Sequence, residues 1–259
     1  MEVKMNGRTA LITGGSTGLG RAMALGFAGC GAAVALVARR EEPLDEARQA
    51  VAAMGAKVAA YSCDITDAGR VAAMFDQVLA EFGQVDVLVN NAGISRAMPF
   101  AETSDEIWQA DFDLKLFAAV RLCRLAFPGM VERRWGRIIN VLNIGAKAPA
   151  AASAPTSVTR AAGMAFTKVL AGEGAPHNVL VNALCTGFID SDQWVRRHAQ
   201  ENAGRSYQDF LAEMGKRIPM GRVGEAEEFA NMACFLASDA GSYITGTAIN
   251  VDGGRSPVV

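Results

Sequence analysis

The chain alternates between short, uninterrupted apolar runs and longer stretches with helical spacing. Arg8–Thr13, Ala33–Ala38, Lys57–Ser62 and Val85–Asn90 are runs of the first kind. Continuous runs of this kind mark strands covered on both faces, the habit of parallel sheets. Between them lie segments of helical periodicity, Gly18–Gly29, Pro43–Met54 and Ala68–Phe82. Pro43 suits a first helical turn, and Gly55 ends that helix. The alternation continues with a long helix over Ser104–Val131, a strand over Trp135–Val141 and a helix over Ser157–Glu173. A strand over Val179–Leu184, a helix over Glu225–Leu236 and a last strand over Ala248–Val251 complete it. Parallel strands joined by right-handed helical crossovers give an α/β class and a doubly wound sheet flanked by helices. Phe188–Lys216 is the exception: it is more polar and holds Trp194 and Tyr207. It reads as a pair of short helices forming a small helical lid over about residues 188–216. No repeat, linker or low-complexity tract divides the 259 residues, so one domain spanning 1–259 is expected.

The strongest local signal is Thr13-Gly14-Gly15-Ser16-Thr17-Gly18-Leu19-Gly20, between the first strand and the first helix. In that context glycines allow close backbone approach, and the helix N-terminus offers amide groups and its positive dipole end to a diphosphate. Gly14, Ser16, Thr17, Gly18, Leu19 and Gly20 are therefore expected to cradle a dinucleotide in a Rossmann fold. The spacing is G-x-x-x-G-x-G, a variant of the usual dinucleotide fingerprint. The second strand ends in Ala38, followed by Arg39 and Arg40. An acidic residue there would bind the ribose hydroxyls of NAD and repel a 2′-phosphate. Neutral Ala38 leaves room for that phosphate, and Arg39 can grip it with a planar fork. Arg40 fits this role or ordinary solvation of a helix start. NADP(H) is favoured, with NAD(H) as the alternative. Asp64 is placed to accept from an adenine amino group, with Ile65 packing the ring. Asn91, Ala92 and Gly93 close the fourth strand at the carboxyl edge, where this fold places ligands.

Charge and cysteine usage narrow the classes. The formal net charge of −2 gives no general attraction to nucleic acid or an anionic membrane. Cys30, Cys63, Cys123, Cys185 and Cys234 are widely spaced, which argues against a disulfide framework. His177 and His198 have no spaced partners for a metal. No apolar run approaches the ~20 residues that span a bilayer, and Met1–Gly7 lacks the apolar stretch of a secretory signal, so a cytoplasmic location is expected.

With these pieces in order, the sequence resembles the classical short-chain dehydrogenase/reductase family. The resemblance rests on Thr13–Gly20, Asp64, Asn90–Gly93, Gly136–Val141, Val181–Ala183, Gly187, Pro219–Arg222, Gly246 and Val251–Gly254. It implies a seven-stranded parallel sheet of order 3-2-1-4-5-6-7, a dimer or tetramer, and hydride transfer between a nicotinamide and a carbonyl or alcohol. It also implies an Asn-Ser-Tyr-Lys catalytic set, and here the chain departs. Asn143 falls at the Ser position, Thr156 at the Tyr, Arg160 at the Lys, and Asp113 at the relay Asn. Thr186 stands where Pro usually precedes Gly187. The resemblance carries Arg160, Thr186, Gly187 and Ile189 into the cofactor site.

Thr156 is far too weak an acid to replace a phenol near pKa 10, although it can donate a hydrogen bond. Arg160 keeps the positive charge. Asn143 can polarise a carbonyl as a weak oxyanion donor. Asp113 can pair with Arg160 or Lys115, or act as a base if burial raises its pKa. Other candidate proton donors are Lys147, Cys185, Asp190, Asp192, His198 and Tyr207. The Ala148–Ala154 stretch, rich in alanine, implies a roomy or apolar substrate space. Three readings follow: an NADP(H) oxidoreductase with an altered proton-transfer arrangement, a non-catalytic NAD(P)-binding or oligomeric scaffold, and a non-redox enzyme for elimination, isomerisation or hydrolysis. Small residues at Ala161, Ala162, Gly163 and Ala165 permit close helix approach in a homo-oligomer.

Overall fold

The computed structural model describes residues 2–201 and 204–259. The first half of the chain runs β1 (Thr9–Thr13), α1 (Gly18–Gly29), β2 (Ala33–Ala38), α2 (Glu41–Ala52), β3 (Val58–Ser62), α3 (Ala68–Phe82) and β4 (Val87–Asn90). A two-residue strand β5 (Ala97–Met98) follows, then α4 (Asp105–Phe112), α5 (Ala118–Glu132) and β6 (Gly136–Asn143). The remainder is β7 (Ala154–Pro155), α6 (Thr156–Gly174), β8 (Val179–Thr186), α7 (Asp192–Glu201), α8 (Tyr207–Gly215), α9 (Ala226–Ala237) and β9 (Ala248–Val251). The main sheet has seven strands in the order β3-β2-β1-β4-β6-β8-β9, all paired in parallel. With β5 and β7 set aside, as a separate antiparallel pair, this is the order 3-2-1-4-5-6-7.

Period-two alternation sends successive apolar side chains of each strand to opposite faces. Ala10, Ile12, Val34, Leu36, Val87 and Val89 pack on one side with Met23 and Phe27 of α1, Leu44 of α2 and Phe229 of α9. Leu11, Ala35, Val37 and Leu88 pack on the other with Phe75 of α3, Leu122 of α5 and Leu170 of α6. Both faces are dry, which is why the strands read as unbroken apolar runs. Strand order reverses between β1 and β4, and the cleft opens at the carboxyl edge of that switch point.

The stretch expected as a single helix over Ser104–Val131 is helical without a break from Asp105 to Glu132, but not regular. Between α4 and α5 the backbone widens into a π-helical turn over Asp113–Phe117. Such a turn is rare and is frequently found at functional sites. The expected lid, apart from residues 202–203, which lie outside the described residues, contains α7 and α8 as two short helices.

Among the described residues, no helix is long and apolar enough to cross a membrane. No group of three or more His, Cys, Asp or Glu side chains among them is placed to hold a metal. The five cysteines are all free.

Candidate active site

The β1–α1 turn is tied down by polar bonds from the end of β4. Thr13 donates its hydroxyl to the Val89 carbonyl and accepts from the backbone N–H groups of Asn91 and Ala92. The Asn91 amide donates to the carbonyls of Thr13 and Gly14 at 2.9 and 3.2 Å. Gly14 takes a positive φ of 66° to make the turn. Gly20 lies under that turn, where a Cβ would overlap the Gly14 carbonyl oxygen. It is a packing glycine, whereas Gly14, Ser16, Thr17, Gly18 and Leu19 line the cleft. Thr17, at the start of α1, makes no side-chain cap, and no acidic residue occupies the first turn. The amide end of α1 therefore faces the cleft with its dipole uncompensated.

The cleft runs from this turn across the whole carboxyl edge and encloses about 1070 Å³. At one end lie Arg39, Arg40, Asp64 and Ile65, with both arginines exposed at the end of β2. Asp64 Oδ1 accepts from the Thr66 backbone N–H at 3.0 Å and from its hydroxyl at 2.8 Å. The Thr66 backbone bond holds its carboxyl below the ordinary value, with Arg39 adding a smaller pull. Asn91, Ala92 and Gly93 line the middle, and Thr186, Gly187 and Ile189 follow from β8.

At the far end, Asn143 closes β6, Thr156 opens α6, and Arg160 lies one turn further along that helix; all three line the cleft. Asn143 Oδ1 is buried without a hydrogen-bond partner. Arg160 donates to the Val141 carbonyl at 2.7 Å. Burial lowers its pKa to about 10, with Asp111 opposing, so it stays charged at neutral pH.

Asp113 does not belong to this group. Its carboxylate lies 3.9 Å from Arg121, and it is not among the cleft-lining residues. The π-helical turn instead carries Lys115 inward, where its Nζ donates to Asp111 Oδ1 at 2.6 Å and to Thr156 Oγ1 at 2.9 Å. Asp111 Oδ2 accepts from the Thr159 hydroxyl at 2.7 Å. Thr156 Oγ1 also accepts from the Arg96 backbone N–H at 2.9 Å. Desolvation brings the Lys115 pKa down to about 8, aided by Arg160 and opposed by Asp111.

Asp111 and Thr159 are thus site neighbours that the sequence reading misses, and Lys115, expected there only as a partner of Asp113, pairs with Asp111 instead. The available signal was an Asp and a Lys four residues apart on one helical segment, spacing that places them side by side.

The cleft lies on a doubly wound sheet and is lined by the glycine turn after β1. The family profile described as "Enoyl-(Acyl carrier protein) reductase" matches residues 14–256. The chain belongs to the short-chain dehydrogenase/reductase family. Among its relatives in this family, the 3-oxoacyl-[acyl-carrier-protein] reductase FabG of Aquifex aeolicus is 33% identical over 98% of this chain and 99% of its own length. FabG of Escherichia coli is 34% identical over 97% of this chain and 98% of its own. The structure of L-sorbose reductase from Gluconobacter frateurii, complexed with NADPH and L-sorbose, superposes with a TM-score of 0.95 at 36% identity, covering both chains completely.

Of the other candidate donors, only Asp192 lines the cleft of this dehydrogenase/reductase scaffold. Tyr207 donates a short hydrogen bond to Asp190, and the pair lies apart from the lining residues. His198 Nε2 pairs with the Arg205 carbonyl. Cys185 is fully buried and its thiol is pushed up by desolvation. The roomy or apolar substrate space expected from the alanine-rich stretch also takes in charged side chains. Ala148 and Ala150 line the cleft, and so do Arg196, on α7, Arg217 and Arg255.

Proposed function

We propose that this protein is an oxidoreductase that transfers a hydride between NADP(H) and a small carbonyl or alcohol substrate. It is a divergent member of its family, with Asn143, Thr156 and Arg160 standing where a Ser, Tyr and Lys are expected, and it handles the proton by an altered arrangement. The observation that carries this reading is the continuity of one cleft. It joins the uncapped amide end of α1, the Arg39–Arg40 pair and the Asn143–Thr156–Arg160 end.

The donor set fits a phosphorylated nicotinamide dinucleotide. The amides around Gly14, Ser16, Thr17, Gly18 and Leu19 would hold its diphosphate, with Gly20 keeping the turn in shape. Arg39 and Arg40 would hold the 2′-phosphate, and Asp64 with Ile65 the adenine. Asn91, Ala92, Gly93, Arg160, Thr186, Gly187 and Ile189 would border the ribose and nicotinamide. NADPH, the cofactor named in the L-sorbose reductase structure, supports the same choice. The bound cofactor would supply the hydride. The chain's own part is to place a carbonyl against it, with Asn143 and Thr156 as donors near the developing charge on oxygen. Arg196, Arg217 and Arg255 along the cleft favour a substrate with a polar or anionic end beside its carbonyl.

A single domain, with α7 and α8 as a lid and a cytoplasmic location, completes the proposal. Val158 and Val169 on α6 and Leu125 on α5 stay exposed, which favours a homo-oligomer built on these helices. Calorimetric titration with NADPH and NADH tests the reading. Binding of NADPH at least about tenfold tighter than NADH is expected from an arginine–phosphate contact. No binding of either cofactor sinks it and leaves the scaffold or non-redox reading.

A further inference from the structure

Thr156 occupies an unusual position for a hydroxyl. Its oxygen already accepts two hydrogen bonds, from Lys115 Nζ and from the Arg96 backbone N–H, each at 2.9 Å. A hydroxyl has two acceptor sites and one proton to give. Both acceptor sites are filled, so the proton must be donated outward. Among the described residues no group accepts it, and Thr156 lines the cleft beside Asn143 and Arg160. Behind Thr156 the chain of contacts is sealed. The side chains of Lys115 and Asp111 are 0% and 1% exposed, and Asp111 is held by Lys115 on one oxygen and Thr159 on the other.

We propose that Lys115 is the proton store of this site, passing its proton to substrate through the Thr156 hydroxyl, with Asp111 and Thr159 fixing the ammonium in place. The inference rests on the oxidoreductase reading above and specifies how the proton moves within it. In the reductive direction the cofactor, when bound, supplies the hydride to the carbonyl carbon. The electron pair of the broken C=O π bond goes to oxygen, which takes the Thr156 proton. Thr156 takes a proton from Lys115 Nζ, and Lys115 is left as a neutral amine. Solvent restores that proton once the product has left the cleft. The alcohol direction is the reverse, with neutral Lys115 receiving the proton. Lys115 does not itself touch the substrate; it acts through Thr156.

The charged groups facing Lys115 are Asp111 from α4, Arg160 from α6 and Arg96 from the segment before β5. Two cations and burial work against its charge, while one carboxylate supports it, which leaves the ammonium acidic enough to release a proton near neutral pH. The sign is definite. Below about pH 8 Lys115 is charged and competent to donate, so reduction proceeds; above it, reduction falls and alcohol oxidation gains.

The test begins with the ionisation, which does not depend on turnover. Protein labelled with 13C at lysine Cε is titrated by NMR with and without NADP+. The Lys115 signal is identified by its loss in Lys115→Met, or in Lys115→Arg if the first variant does not fold. A midpoint near 8, well below the other lysines, is expected. A midpoint near the ordinary ~10.4 overturns the relay.

Turnover is then followed with NADPH and, as probes, L-sorbose and an acetoacetyl thioester. Lys115→Arg keeps the charge but cannot release the proton. It is expected to lower kcat about a hundredfold with KM little changed, and to abolish the pH break. Thr156→Ser should retain turnover, and Thr156→Val should lose it. Full activity in Thr156→Val, or an unchanged pH break in Lys115→Arg, overturns the relay while leaving the oxidoreductase reading intact. If the wild type binds neither cofactor, the parent reading falls, and the relay's role falls with it even though Lys115 still titrates near 8.

Discussion

Lys115 Nζ and Asp111 Oδ1 lie 2.6 Å apart with both side chains sealed from solvent. A buried pair adds little to stability against an apolar substitute, but removing one partner strands the other charge. Lys115→Met should therefore destabilise the fold by about 3–5 kcal/mol. The double variant Lys115→Met/Asp111→Asn should recover a large part of that loss. Thermal unfolding of the two variants beside the wild type checks this. Equal melting points for single and double variants would show that the pair does not act as a unit.

Arg39 stands exposed at the end of β2, next to Ala38. Arg39→Ala should weaken NADPH binding by about 1.5–3 kcal/mol while leaving NADH binding nearly unchanged, because only the former carries the 2′-phosphate. Ala38→Asp should reverse the preference by repelling that phosphate and accepting from ribose hydroxyls. Paired calorimetric titrations read both effects.

Gly20 has no room for a side chain above the Gly14 carbonyl. Gly20→Ala should force the β1–α1 turn away from Asn91 and cost at least about 1–3 kcal/mol by overpacking. It should also weaken dinucleotide binding, since the diphosphate cradle moves with the turn. A denaturant midpoint and a cofactor titration on the same variant separate the two consequences.

Four of the five thiols are buried: Cys63, Cys123, Cys185 and Cys234. Burial raises each of their pKa values, that of Cys123 to about 12, so the reactive thiolate is scarce at pH 8. Alkylation of the native protein followed by mass spectrometry should modify Cys30 far ahead of the others, and unfolding should expose all five. Rapid native labelling of Cys185 would contradict the sealed packing of β8.

The alternation of strands and helices and the cleft position were legible because they follow from local pattern, whereas the strand order was legible only through the family resemblance. Short apolar runs such as Ala33–Ala38, bounded by turn residues, have the length of strands covered on both faces, and a glycine turn between strand and helix marks the ligand edge. That Asn143, Thr156 and Arg160 line one cleft was equally legible, since each lies at a strand end or in the first turns of a helix with clear boundaries. Asp113 was misplaced for a physical reason. Which side chain of a long helix enters the site depends on rotation about its axis, and a widened turn at Asp113–Phe117 alters that rotation without any glycine or proline to announce it. Arg196, Arg217 and Arg255 escaped notice because they are spread along the sequence and come to one cleft only in the folded chain.

Hydride transfer from NADPH to a carbonyl within this cleft is the activity proposed for this protein. The most direct measurement is a single-turnover experiment that mixes the protein–NADPH complex with L-sorbose or an acetoacetyl thioester and follows the reduced-nicotinamide absorbance. Loss of that absorbance with formation of the alcohol, slowing as pH rises through about 8, is the predicted result. NADPH that stays bound and reduced with each carbonyl would contradict it and make the protein a dinucleotide-binding scaffold.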